Sequence, residues 1–373
     1  MALRDVIGQE KAVSILIRTI QRGRIPSAYL FAGESGIGKK FTALNLAKAL
    51  NCLNPLTSNE LQVTSETQTP NSNPPLPPFA KGGHVGIIND GTLFDCCDEC
   101  SSCKKIDSRV HPDLLIISSE GGQIKIDEIR AIDETLSLKP FEGRWKVVVV
   151  EEASTMNPYA ANAFLKTLEE PPKDSLIILV SSNPERLPDT IRSRCSRVNF
   201  TPLSYEACKK VISQQPTANS QKIGGHASLQ ADKLKRLSIL ARLSMGRPGL
   251  AVSADLLDER EWFLKLLQLM MKAEKEGWTS KEEMEKWLEL IVILFRDMVI
   301  TKITKDRKNL INIDLNEYIT EFSSTMDLKV IIDCYQKLNA LRRYLNFNLN
   351  RSLTWNYTSS LLRKMKTENV ESI

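Results

Sequence analysis

The chain sets Gly33-Glu34-Ser35-Gly36-Ile37-Gly38-Lys39-Lys40 directly after the apolar stretch Ala28-Tyr29-Leu30-Phe31-Ala32. It is followed at once by Phe41 to Leu50, where apolar residues recur at helical spacing. A glycine loop between a short apolar strand and a helix is the setting of a phosphate-binding loop. There the glycines let the backbone come close, so that N–H groups cradle phosphates at a helix N-terminus, and a lysine reaches the β- and γ-phosphates. Gly33, Gly36, Gly38 and Lys39 meet these needs. The next position calls for Ser or Thr, whose hydroxyl ligates Mg²⁺. Lys40 stands there instead and cannot ligate a cation.

The chain around this loop alternates. Asp113 to Ile117, Val147 to Val150 and Leu176 to Val180 are strands, the last two apolar throughout. Between them, Asp127 is placed to N-cap a helix from about Glu128 to Leu138, and a helix holding Asn162 to Glu169 is stopped by Pro171-Pro172. Apolar strands alternating with helices predict a parallel sheet covered on both faces, an α/β phosphate-loop fold. After about Pro202 strands vanish. One short helical block, with a polar loop from Gln214 to Gln230, closes near Gly246-Arg247-Pro248-Gly249; beyond Leu256 the chain is helical, with amphipathic segments such as Glu261 to Ala273, Glu282 to Ile300 and Leu328 to Tyr344. At 373 residues the chain exceeds one ordinary core. Three domains are expected: 1–202 α/β, 203–254 small and helical, and 255–373 large and all-α.

A phosphate-loop enzyme needs an Asp at the end of a buried strand, followed by an acid that activates water. Here Lys146 to Val150 ends in Glu151-Glu152. The added methylene of Glu151 displaces a metal ligand by roughly an ångström, an error that can cost about 100-fold in rate. Both metal-contacting positions are thus altered. Hydrolysis by this chain alone is not expected, whereas the intact glycines and Lys39 still permit a nucleotide to bind.

Of eight cysteines, four crowd into Cys96-Cys97-Asp98-Glu99-Cys100-Ser101-Ser102-Cys103. Cys97, Cys100 and Cys103, with two residues between each and the next, suit tetrahedral Zn²⁺. The fourth ligand is open between Cys52, Cys96 and His84. Cys52 is favoured, because it stands just before, and the other three just after, a segment of about 53–95 rich in Asn, Ser, Thr and Pro. That segment has the composition of a disordered insertion, and a metal clip would close it at its base. Four thiolates leave no open coordination position, so the ion would be structural.

No apolar run reaches the length of a membrane span, the N-terminus lacks a signal-peptide core, and a net charge of +5 permits a polyanionic partner without demanding one. These features place the chain in the cytoplasm.

Asn162-Ala163-Phe164-Leu165-Lys166-Thr167-Leu168-Glu169-Glu170-Pro171-Pro172 resembles a signature of bacterial clamp-loader subunits of AAA+ type. Ile7-Gly8-Gln9, Ile25-Pro26-Ser27-Ala28-Tyr29-Leu30-Phe31, the cysteine pattern and the Ser-Arg-Cys triplet Ser193-Arg194-Cys195 agree with it, and the long insertion departs from it. The resemblance covers roughly 2–252; the C-terminal part is similar only in length and helical character. With Lys40 and Glu151, and with Met156-Asn157-Pro158-Tyr159-Ala160-Ala161-Asn162, the chain is more similar to a non-motor branch than to the ATP-hydrolysing motor.

The resemblance implies an AAA+ domain with a zinc module (52–103), a helical lid and a collar that oligomerises. It implies a part in DNA polymerase III, with tau/gamma and delta subunits, the sliding clamp and primed DNA as partners. It makes Arg194 an arginine finger for a neighbour's ATP site, since a planar, always-charged fork stabilises phosphoryl-transfer charge. Ser182 matches a γ-phosphate sensor and Arg247 a second sensor in the lid. DNA contact would run through phosphates, hence without sequence preference, with Lys125 and Arg130 as candidates. Two alternatives are an active tau/gamma-type ATPase and a stand-alone zinc-containing DNA-binding relative.

Overall fold

A computed structural model describes residues 2–56, 95–119, 122–214, 228–253, 256–272, 277–304, 309–347 and 349–367. Nearly all of the expected insertion, with His84, and most of the polar loop expected at 214–230 lie outside these residues. The chain divides into two compact units, Met1–Ala207 and Cys208–Ile373.

The first unit is built on a five-stranded parallel sheet in the order β2-β3-β4-β1-β5. Its strands are β1 (Ala28–Ala32), β2 (Leu114–Ile117), β3 (Lys146–Val150), β4 (Ser175–Ser181) and β5 (Ser196–Asn199). Every residue of β1, β3 and β4 is buried, as their apolar runs predict. β5 was not legible in the sequence. It is an edge strand with only Val198 buried, so Ser196, Arg197 and Asn199 hide the alternation. The helices are α1 (Glu10–Gln21), α2 (Lys39–Asn51), α3 (Ser101–Asp107), α4 (Ile126–Ser137), α5 (Pro158–Glu169) and α6 (Asp189–Arg192), with α7 (Tyr205–Gln214) crossing the division between units.

One cap differs from expectation. α4 starts at Ile126 with Lys125 as N-cap, and the Glu128 carboxylate accepts the Lys125 N–H at 2.9 Å. Asp127 lies inside the first turn, where an acid favours the helix dipole, and pairs with Arg130 at 3.0 Å. A glutamate three residues on was the stronger start signal.

The second unit is helical: α8 (Ser228–Leu243), α9 (Pro248–Ser253), α10 (Leu256–Met271), α11 (Lys281–Thr304), α12 (Asn316–Thr325), α13 (Leu328–Arg343) and α14 (Arg351–Thr367). Its core gathers on α11, where Trp287, Leu288, Ile291 and Phe295 are buried with Phe263 of α10, Ile331 of α13 and Trp355 of α14. Trp278 packs edge-on against Trp355 at 5.2 Å. Asp297, fully buried on α11, accepts the Ile311 and Asn312 N–H groups, and Arg260 pairs with Asp314 at 2.9 Å. Among the described residues no helix is long and apolar enough to cross a membrane.

Candidate nucleotide and metal sites

In a parallel sheet all carboxyl ends share one edge, and ligands bind there. β1 runs into the glycine loop, β3 into Glu151-Glu152 and β4 into Ser182, and β4 lies between the other two. Gly33, Gly36, Gly38, Lys39, Lys40, Glu151, Glu152 and Ser182 therefore meet at one edge, although they come from chain segments over 100 residues apart.

The loop depends on its glycines. Gly36 and Gly38 have φ of 79° and 98°. At Gly33 a Cβ would stand 2.5 Å from the Phe200 carbonyl oxygen. Gly38 opens α2 without any side-chain cap, and a Cβ built there meets nothing within 4 Å. The space beside the Gly38 Cα is thus open. Ile37, 2% exposed, anchors the loop in the core. Gln9 holds it from behind: its Nε2 donates to Ile37 O at 3.2 Å and Thr201 O at 2.8 Å. In the sequence Ile7-Gly8-Gln9 carries only a family likeness; its bracing role emerges from the fold.

Lys39 is buried, and its Nζ donates to the carbonyls of Gly33 and Glu34, each at 2.5 Å. Burial pulls its ammonium below the usual lysine range, with Glu152 and Glu34 acting against the shift. Lys40 forms an ion pair with Glu151. The two positions where a metal's ligands would stand thus hold each other. Glu152 sits in left-handed backbone, φ 44°, and its Oε2 accepts the Ser182 N–H at 3.2 Å and hydroxyl at 2.6 Å.

Arg194 lies elsewhere. It precedes β5, and Glu169 precedes β4, so both sit at the amino edge of the sheet, opposite the glycine loop. A five-residue strand such as β1 spans about 16 Å, which keeps the Arg194 guanidinium from its own loop. It donates to Thr190 O at 2.8 Å and pairs with Glu169 at 2.5 Å. Arg247 belongs to the second unit, in the turn between α8 and α9, where its N–H donates to Ser244 O.

The ligand atoms of Cys52, Cys97, Cys100 and Cys103 all lie within 4.8 Å of one another, a group that could hold a metal ion. Cys52 follows α2 directly, so one helix joins the glycine loop to the cysteines. Backbone N–H groups of Cys97, Cys100 and Cys103 donate to the sulfurs of Cys52, Cys97 and Cys100 at 3.3, 3.4 and 3.5 Å. Such donors favour thiolates, and the all-sulfur set fits tetrahedral Zn²⁺. Cys96 is buried beside the group and outside it. Leu56 and Asp95 pair in an antiparallel bridge, so the two ends of the insertion meet next to the cysteines.

Several supports escaped the sequence. Lys48 is fully buried on α2, its Nζ 2.5 Å from Asp98 and 2.9 Å from Asp107. Asp113 takes N–H donors from Phe141, Glu142 and Gly143 at 2.6, 2.9 and 2.7 Å. Burial alone would push its carboxyl up; these donors outweigh that and hold it below the usual range. Asn51 Oδ1 accepts from Arg144 and Trp145 in the same loop. His111 is buried in its turn, its Nδ1 accepting the Asp113 N–H. Aspartate and asparagine are common in turns, so nothing local marked these as braces.

A family model described as DNA polymerase III, delta subunit, matches residues 8–73 and 88–204, and a second, DNA polymerase III, delta subunit, C terminal, matches 255–363. DNA polymerase III subunit delta' of Bacillus subtilis is 28% identical over 342 residues, 89% of this chain and 91% of that protein. DNA polymerase III subunit tau of Escherichia coli is 30% identical over 242 residues, 65% of this chain and 30% of that longer protein. A gamma subunit-related protein of Thermotoga maritima gives a looser structural likeness, TM-score 0.41 and 21% identity, covering 95% of this chain and 99% of that one.

Proposed function

Because the chain belongs to the DNA polymerase III delta-subunit family of AAA+ clamp-loader proteins, we propose that it is the delta-prime component, which completes a neighbour's ATP site and does not hydrolyse ATP itself. The observation that carries this reading is the division of the first unit between two edges. At the carboxyl edge, Lys40 and Glu151 stand where a hydrolytic site needs Ser or Thr and Asp. At the amino edge, Arg194 lies at the surface away from the chain's own loop, held by Glu169 and the Thr190 carbonyl in an exposed pair that another subunit's phosphates would have to displace. Retention of Arg194 beside loss of the metal ligands is what a donor of a guanidinium would have.

In this reading Gly33, Gly36, Gly38 and Lys39 keep a nucleotide-binding frame, and Ser182 and Glu152 hold each other as a vestige of the sensor and water-activating pair. Residues 203–254 form the lid, with Arg247 in it, and 255–373 form the collar through which the chain joins tau/gamma and delta subunits. Cys52, Cys97, Cys100 and Cys103 hold a structural Zn²⁺, which would tie the ends of the insertion to α2. The assembly loads the sliding clamp on primed DNA, to which this chain contributes phosphate contacts without sequence preference.

The test mixes the chain with motor and delta subunits and follows clamp loading onto primed DNA. Loading should depend on this chain, and Arg194→Ala should lower the DNA-stimulated ATPase of the complex while assembly persists. Unchanged ATPase, or brisk turnover by the isolated chain, contradicts the proposal. Metal analysis should find about one zinc per chain, as a four-thiolate site requires.

A further inference from the structure

We infer that the Lys40 ammonium takes the place of the metal ion in this loop, so that a nucleoside polyphosphate is held here without a divalent cation. The inference rests on the reading that the glycine frame still accepts nucleotide.

In a hydrolytic loop the metal is shared between a hydroxyl on the first turn of the helix and an acid at the end of a neighbouring strand, and it bridges phosphate oxygens. Here the same two backbone positions carry Lys40 and Glu151, and their side chains close the gap by pairing. A cationic nitrogen thus lies against the carboxylate that would have faced the metal. The ammonium has three N–H donors and Glu151 engages it from one side, so donors are left for phosphate oxygens. The Lys40 side chain is 34% exposed, so an arriving polyanion can reach it, while the Glu151 Oε1 it pairs with is buried.

The rest of the loop is arranged for an anion. α2, of 13 residues, has no side-chain cap, and space is open over Gly38. Lys39 is buried there, and its Nζ donates to the Gly33 and Glu34 carbonyls, contacts that phosphate oxygens can replace. A divalent ion, by contrast, would have to displace the Lys40 ammonium and sit beside it. Like charge at that distance opposes it, and Lys40 offers no oxygen ligand.

The experiment is equilibrium dialysis of the full chain against radiolabelled ATP, once in excess MgCl₂ and once in EDTA. The expected result is binding of the same affinity in both. Lys40→Thr should weaken binding in EDTA by about tenfold, the loss of one ion contact. Lys40→Thr combined with Glu151→Asp should make binding depend on Mg²⁺. Lys40→Gln, similar in length but uncharged, serves as a second variant, and thermal melting checks that each is folded. Affinity that rises with Mg²⁺ in the wild-type chain, affinity in EDTA unchanged by Lys40→Thr and Lys40→Gln, or no binding in either condition overturns the inference. Absence of binding in both conditions would also remove the nucleotide-binding frame from the proposed function, whereas binding that depends on Mg²⁺ or ignores Lys40 overturns this inference alone; none of these outcomes bears on whether clamp loading needs the chain.

Discussion

Both ends of α2 carry a motif, and they have fared differently. At its C-terminal end four sulfurs of the same chemical kind converge, and every ligand a tetrahedral metal needs is present. At its N-terminal end stand the glycines and Lys39, but the positions where a hydrolytic loop needs a hydroxyl and an aspartate carry Lys40 and Glu151, which pair with each other. The contrast separates two kinds of chemistry. Phosphate cradling is done largely by backbone N–H groups, so it survives side-chain exchange while the glycines stay. Metal coordination is done by side-chain atoms, and one replaced ligand ends it. The cysteine end should therefore hold the fold together, and the loop end should matter little for stability outside its glycines.

The largest effect that would sharpen this contrast is metal removal. Strong chelation, or Cys97→Ser, should lower the melting temperature of the first unit by about 10 °C or more, since structural zinc contributes directly to folding. A melt unmoved by chelation would erase the distinction. Next comes the brace beside the cysteines. Asp113→Ala leaves the N–H groups of Phe141, Glu142 and Gly143 without their acceptor and should cost about 2–3 kcal/mol by denaturant unfolding. Its pH dependence has a definite sign. The folded carboxyl is held below its unfolded value, so its stabilisation is full above the ordinary aspartate range, near pH 4, and is lost as pH falls through the lower folded value. The melting gap between wild type and Asp113→Asn should narrow on acidification below about pH 4.

Two smaller effects probe the loop end. Gly33→Ala must push against the Phe200 carbonyl and should cost about 2 kcal/mol, whereas Gly38→Ala faces open space and should cost about 1 kcal/mol for its left-handed backbone alone. Equal costs would mean that the close approach at Gly33 is not felt. Smallest of all, Lys40→Thr should change stability by less than about 1 kcal/mol, because a partly exposed ion pair contributes little. A larger loss would make the loop end a structural element in its own right.

The legible parts of the fold share a property. β1, β3 and β4 were visible because strands buried on both faces carry unbroken apolar runs, Ala28 to Ala32, Val147 to Val150 and Leu176 to Val180, and the helices of the second unit because their apolar residues recur at helical spacing. β5 was invisible because an edge strand needs only one buried residue, Val198. N-cap preference is strong for aspartate and favours Asp127 in the sequence, yet Glu128 reaching back to the Lys125 N–H outweighs it.

By itself the sequence determined the elements whose signal lies within a few residues: the glycine turn, the apolar strands, the cysteine triplet and the altered Lys40. Only the tertiary structure decided how these combine. Strand order brought Glu151 to Lys40 across 111 positions, seated Cys52 beside Cys97, Cys100 and Cys103, and set Arg194 against Glu169 on the edge away from the loop. The physical reason is range. Backbone conformation and periodicity are set by near neighbours, whereas charge pairing and metal-ligand geometry act through space, between segments that the order of the sheet brings together.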